Sequence, residues 1–118
     1  MSERQPALLV VEDDDSIREA VSMLLSGEGF IIVAARSGEE ALAVIAGNDS
    51  LAGLYTDIDL PGSVDGWMVG SSFRARWPGK PIVYASGTSH QQGRMVAGAV
   101  FLPKPFSADT MIAGLLPN

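Results

Sequence analysis

The sequence predicts an α/β domain built on a doubly wound, five-stranded parallel sheet with strand order 2-1-3-4-5. Three observations carry this. Short, unbroken apolar runs recur along the chain, as expected of strands buried on both faces. Between them the apolar residues switch to helical spacing. Strand and helix alternate through all 118 residues. This is the pattern of βαβ units, and right-handed crossovers leave few topologies for it.

Ala7 to Val11 is the first run. From Ser16 the period becomes helical, with Ile17, Ala20, Val21, Leu24 and Leu25 on one face, until Gly27 and Gly29 stop it. Phe30 to Ala34 is again apolar and β-branched. Ser37-Gly38-Glu39-Glu40 is a capping box, with Ser37 as N-cap, and it opens a helix carrying Ala41, Leu42, Val44 and Ile45 that ends near Gly47-Asn48. Leu54 to Thr56 forms a third strand leading to Asp57. Pro61-Gly62-Ser63 is a loop. A helix from Asp65 to Trp77 sets Val69, Phe73 and Trp77 at fourfold spacing, with Trp67 and Trp77 as packing residues, and Pro78-Gly79 ends it. Pro81 to Ala85 and Ala99 to Leu102 are the fourth and fifth strands. Ser107 caps a last helix with Met111, Ile112, Leu115 and Leu116. The stretch Ser89 to Gly98 holds two glycines and little apolar periodicity, so it reads as one or two helical turns or as a loop.

Composition bounds the function. A chain of this length with 47% apolar residues fits one domain over residues 1–118 with a proper core. The absence of cysteine excludes a disulfide scaffold, a thiolate metal site and a cysteine nucleophile. Eight Lys and Arg against fourteen Asp and Glu give a net charge of −6, which leaves no basic footprint for nucleic acid. The early run Ala7 to Val11 is far below the ~20 residues of a membrane span or the ~7–15 of a secretory signal core. The reading is a small, acidic, cytoplasmic protein.

In doubly wound sheets the functional crevice lies beyond the carboxyl ends of the strands. Glu12-Asp13-Asp14-Asp15 follows the first strand, Asp57 and Asp59 stand at the end of the third, Ser86-Gly87-Thr88 follows the fourth, and Lys104 follows the fifth. With strands one and three as neighbours, Glu12, Asp13 and Asp57 converge. Such a cluster costs free energy without a cation, and hard oxygen ligands suit Mg²⁺. Alone, Glu12 to Asp15 also reads as a solvated helix cap, Ser86-Gly87-Thr88 as a turn, Lys104 as a surface lysine and Phe101 as core. His90, the single histidine, lacks a visible base partner.

Taken in order, Leu8-Leu9-Val10-Val11-Glu12-Asp13-Asp14, Thr56-Asp57-Ile58-Asp59-Leu60-Pro61-Gly62, Asp65-Gly66 and Phe101-Leu102-Pro103-Lys104-Pro105-Phe106, with Ser86 ending the fourth strand, resemble the receiver domain of two-component response regulators. The resemblance implies a flavodoxin-like receiver fold. It implies that Asp57 accepts a phosphoryl group from a sensor histidine kinase or a histidine phosphotransfer protein. It implies that Asp13 ligates Mg²⁺ directly, that Glu12 reaches the ion through water, and that the Asp59 backbone carbonyl is a further ligand. It gives Ser86 and Lys104 phosphoryl-oxygen contacts, makes Phe101 the aromatic switch that turns inward when Ser86 moves, and makes the Lys104–Pro105 bond cis. Signalling by protein–protein contact follows, without enzymatic turnover beyond Mg²⁺-dependent self-phosphorylation and self-dephosphorylation.

The pattern also departs from the family. The loop Pro61-Gly62-Ser63-Val64-Asp65-Gly66 carries one extra residue. The span from Ser86 to Lys104 is short, which shortens the fourth helix of the fold and puts a standard output surface in doubt. Asp59 follows the acceptor by two and Thr88 follows Ser86 by two, positions that the resemblance implies tune dephosphorylation. The chain running out at Leu115-Leu116-Pro117 suggests a stand-alone receiver. A receiver belonging to, or acting with, a hybrid histidine kinase is the alternative. Two further readings stay open. Asp57-Ile58-Asp59 matches the DxD of haloacid-dehalogenase-like phosphatases, although Pro61 stands where that family favours Thr or Val, and a phosphorylation-independent binding module could use the same fold.

Overall fold

The structure is a computed structural model that describes residues 5–87 and 94–116. The element order is β1 (Ala7–Val11), α1 (Asp15–Ser26), β2 (Ile31–Ala35), α2 (Gly38–Gly47), β3 (Gly53–Asp57), α3 (Gly66–Arg76), β4 (Ile82–Ser86), β5 (Val100–Pro103) and α4 (Ala108–Leu115). The five strands are parallel, in the order β2-β1-β3-β4-β5, so the doubly wound sheet is as expected.

The strands sort by position. β3 and β4 are buried at every residue and β1 at all but its first, whereas the edge strands β2 and β5 are partly exposed. Alternate side chains of the central strands supply two cores. Leu9, Val11, Leu54 and Tyr84 pack with Ala41 and Ile45 of α2 and Val69 and Phe73 of α3. Leu8, Val10, Tyr55 and Val83 pack with Val21 and Leu25 of α1 and Met111 and Leu115 of α4. Among the described residues two helices thus cover each face, as double winding requires.

Helix ends follow local side-chain chemistry. α1 starts one residue before Ser16, because the carboxylate of Asp14 accepts the Ile17 N–H at 3.0 Å and acts as N-cap. Only the stripe Ile17, Val21 and Leu25 of α1 packs inward, and Leu24 is 43% exposed. Ser37 caps α2 by accepting the Glu40 N–H at 3.1 Å. Glu40 returns its bond to the Arg36 N–H, one residue ahead of the N-cap. Trp67 is buried, whereas Trp77 is the partly buried C-cap of α3.

The expectation of one or two turns or a loop over Ser89 to Gly98 has its first half, residues 89–93 with His90, outside the described residues, as is Thr88. Among the described residues no α-helix stands between β4 and β5. There the carbonyl of Ala97 takes a bond from the Arg74 guanidinium, tying this stretch to α3.

Candidate functional site

The sheet register assembles the site. Val11 pairs with both Ala35 and Thr56, and Asp57 pairs with Ala85. Hydrogen bonding continues one residue past three strand ends, from Glu12 N–H to Ala35 (3.1 Å), from Ile58 N–H to Ala85 (3.0 Å) and from Lys104 N–H to Ser86 (2.8 Å). The first residues after β1 and β5 and the last of β3 and β4 are therefore held by the ladder itself.

Carboxylate oxygens of Glu12, Asp13 and Asp57 lie within 4.8 Å of one another. Glu12 and Asp57 are buried and Asp13 is exposed, so the cluster has a dry floor and one wet side. The Lys104 ammonium donates to Glu12 Oε1 at 3.0 Å and to Asp57 Oδ2 at 3.3 Å. The Lys104–Pro105 bond is cis. Backbone N–H groups hold the acids in place: Asp14 donates to Glu12 Oε2 (3.2 Å) and Asp59 to Asp57 Oδ1 (3.2 Å). Arg18 donates to the Glu12 carbonyl at 2.9 Å, fastening the first turn of α1 to the end of β1.

Burial pushes the Glu12 carboxyl up from 4.5 to about 7, and the nearby charge of Asp57 adds to the rise against the opposing bonds from Lys104 and Asp14. Burial pulls the Lys104 ammonium down, but its bond to Glu12 and the charge of Asp57 outweigh this and leave it raised. The Tyr55 phenol is pushed up by burial and then by Glu12 and Asp57, and among the described residues its buried hydroxyl has no hydrogen-bond partner. Three clustered carboxylates with one ammonium between two of them retain an excess of negative charge. This donor set of hard oxygens, open on the Asp13 side, fits a divalent cation such as Mg²⁺.

A stability effect follows. Without a divalent ion, folded Glu12 titrates near 7 and unfolded Glu12 near 4.5. Between these values the native state holds more protons than the unfolded one, so this group lowers stability as pH rises through the window. The expected loss is about 1–3 kcal/mol. Asp15 and Glu39, held below their usual range by the Arg18 bond and the Ser63 backbone N–H, act at more acid pH. Urea unfolding in chelator at pH 5 and pH 7.5 should show the fall, and excess Mg²⁺ should flatten it by favouring the charged carboxylate. A stability that rises over this range in chelator contradicts the assignment.

Ser86 and Asp59 meet directly. The buried Ser86 hydroxyl donates to Asp59 Oδ2 at 2.8 Å. The Asp65-Gly66 pair has a structural basis: Asp65 caps α3 by accepting the Met68 N–H at 2.9 Å, and Gly66 N–H donates to the Ile58 carbonyl at 2.9 Å. The extended loop is strapped to α2, because Glu39 accepts from the backbone and hydroxyl of Ser63 at 3.1 and 3.2 Å. A Cβ on Gly38 would stand 2.2 Å from the Val64 carbonyl, so only glycine lets the loop lie this close. Phe101 is half-buried, with its ring stacked on Trp67 at 6.4 Å between centroids and 17° between planes.

Sequence reasoning missed three features. The Asp59 carboxylate faces Ser86. Register brings the ends of β3 and β4 together, with Asp57 opposite Ala85, but the meeting of these two side chains has no signal in the sequence. The Arg94–Asp65 ion pair at 3.0 Å joins the stretch after β4 to the cap of α3, and the buried Tyr55 phenol feels the charges of Glu12 and Asp57. Neither has a local sequence signal.

The response regulator receiver domain family matches this chain over residues 8–115. The chain is 34% identical over 110 residues to the response regulator MprA of Mycobacterium ulcerans (strain Agy99), covering 90% of this chain and 47% of that protein. It is 33% identical over 111 residues to the response regulator protein FleR of Pseudomonas aeruginosa, covering 89% and 23%. The chain thus spans about half the length of the first relative and less of the second. Its fold is similar to a response regulator receiver protein from Sinorhizobium medicae WSM419, with TM-score 0.91, 27% identity, and 95% and 92% of the two chains covered. It is also similar to the receiver domain of the hybrid histidine kinase CckA, with TM-score 0.75, 30% identity, and 91% and 93% covered. Among the described residues no helix is long and apolar enough to cross a membrane. An acidic cluster at the ends of β1 and β3, a lysine reaching it from β5, and a family match along nearly the whole chain place this protein in the response regulator receiver domain family of two-component signalling.

Proposed function

We propose that the protein is a phosphorylatable switch in which Asp57 accepts a phosphoryl group from a histidine kinase or histidine phosphotransfer protein. The observation that carries this reading is the convergence of the Glu12, Asp13 and Asp57 carboxylates with the Lys104 ammonium at one point of the sheet rim. Glu12, Asp13 and Asp57 would hold Mg²⁺, with the Asp59 carbonyl as a further ligand. The ion, when bound, supplies the positive charge that offsets the acids and the incoming phosphoryl oxygens.

Asp57 is a nucleophile kept in place by the Asp59 N–H on one oxygen and Lys104 on the other. One carboxylate oxygen forms a bond to phosphorus as the donor's phosphorus–nitrogen bond breaks and the donor imidazole leaves, giving an acyl phosphate. Lys104 is near enough to move from the resting carboxylate to a phosphoryl oxygen, and Ser86 is the second donor on the opposite side. Phe101, half-buried against Trp67, is the aromatic that follows Ser86. The output is a change of local charge read by a protein partner. Enzymatic turnover is confined to gaining and losing this phosphoryl group.

Intact-mass measurement with acetyl phosphate tests the reading. A gain of one phosphoryl group is expected with Mg²⁺ and none in excess chelator. No gain at any donor concentration with Mg²⁺ present would overturn it.

A further inference from the structure

We propose that the Asp59 side chain is a positioning residue that restrains Ser86 in the unphosphorylated protein, so that loading of Asp57 requires the Ser86 hydroxyl to exchange one acceptor for another. This rests on the reading of Asp57 as phosphoacceptor. The Ser86 Oγ donates to Asp59 Oδ2 at 2.8 Å. A carboxylate is acceptor-only, so the hydroxyl's single proton belongs to that bond. A phosphoryl oxygen on Asp57 would need the same proton.

The backbone around Ser86 is fixed, since Ser86 is the last residue of β4, pairs with Pro103, and accepts the Lys104 N–H at 2.8 Å. The exchange is therefore a rotation about the Ser86 Cα–Cβ bond rather than a shift of the strand. Residue 59 touches both partners, as its N–H donates to Asp57 Oδ1 while its carboxylate holds Ser86. A bond to a charged acceptor is about twice as strong as a neutral one, so Asp59 weights the equilibrium toward the resting arrangement. The bond is lost when the phosphoryl arrives and regained when it leaves.

The test is a double-mutant cycle on affinity for beryllofluoride, a non-covalent phosphoryl mimic, read by fluorine NMR at saturating Mg²⁺. Asp59→Ala should tighten binding about tenfold when Ser86 is present. In a Ser86→Ala background the same change should move affinity less than about twofold, because no hydroxyl remains to release. Ser86→Thr, which keeps the hydroxyl, should retain the gain. An equal gain with and without the hydroxyl would reduce Asp59 to simple charge repulsion and overturn the restraint. Weaker binding in Asp59→Ala would also overturn it. Failure of the wild-type protein to bind the mimic would instead remove the phosphoacceptor reading on which the restraint stands.

Discussion

Lys104→Met is expected to lower the rate of phosphoryl uptake from acetyl phosphate by about a hundredfold, and to destabilise the fold in a pH-dependent way. The Lys104 ammonium lies 3.0 Å from Glu12 and 3.3 Å from Asp57, and both carboxylates are buried. Methionine keeps most of the stem, which lines a shallow cleft with Ile17, Pro105 and Phe106, so loss of charge dominates the change. Removing one partner of a fully buried pair costs about 3–5 kcal/mol. Here the lysine side chain is 22% exposed, which lowers the cost to about 1–3 kcal/mol at pH 8. The wild-type Lys104 pKa is raised, so its stabilising effect is fully present below the unfolded lysine value and is lost only in strong alkali. In the variant the cost should shrink toward pH 5.5, where Glu12 takes up a proton. Urea unfolding at the two pH values and initial rates of mass gain measure both effects. Uptake within threefold of wild type would contradict the role given to Lys104.

Gly66→Ala is expected to cost about 3 kcal/mol or more. A Cβ there would stand 2.2 Å from the Asp57 carbonyl oxygen and 2.6 Å from the Ile58 Cα, all backbone atoms with no rotamer to absorb the overlap. Relief requires moving α3 away from β3, which would also break the Gly66 N–H bond to Ile58 and displace the strand end that carries Asp57. Loss of stability and slower phosphoryl uptake should therefore appear together. Gly47→Ala, where the added carbon meets nothing within 4 Å at the end of α2, is the control and should leave both unchanged or raise stability slightly. Equal stability of the two variants would show that the close approach of α3 to Asp57 carries no energy.

The central strands were legible because their burial is nearly complete: Leu8 to Val11, Leu54 to Thr56 and Ile82 to Ala85 read as unbroken apolar or β-branched runs and are buried throughout. The edges were less so. α1 carries Leu24 and Ala20 in the right period, yet a helix packed on a flat sheet buries one narrow stripe and leaves them outside. The convergence of Glu12, Asp13 and Asp57 was readable because it depends on topology alone, with β1 beside β3 and all carboxyl ends at one rim. The bond between Ser86 and Asp59 was not, since it depends on two side-chain torsions, one on the last residue of β4 and one two residues past β3. The extra residue in the loop after β3 was visible, but its fastening to Glu39 spans two elements and leaves no local trace.

The most direct measurement is the location of the phosphoryl group. Protein treated with acetyl phosphate and Mg²⁺ is reduced with borohydride, which converts an acyl phosphate to the corresponding alcohol, then digested and mapped by mass spectrometry. Homoserine at position 57 and nowhere else is expected, with none formed in Asp57→Asn. Modification at Asp13 or Asp59 with Asp57 intact, or equal labelling of Asp57→Asn and wild type, would contradict the assignment of Asp57 as the acceptor.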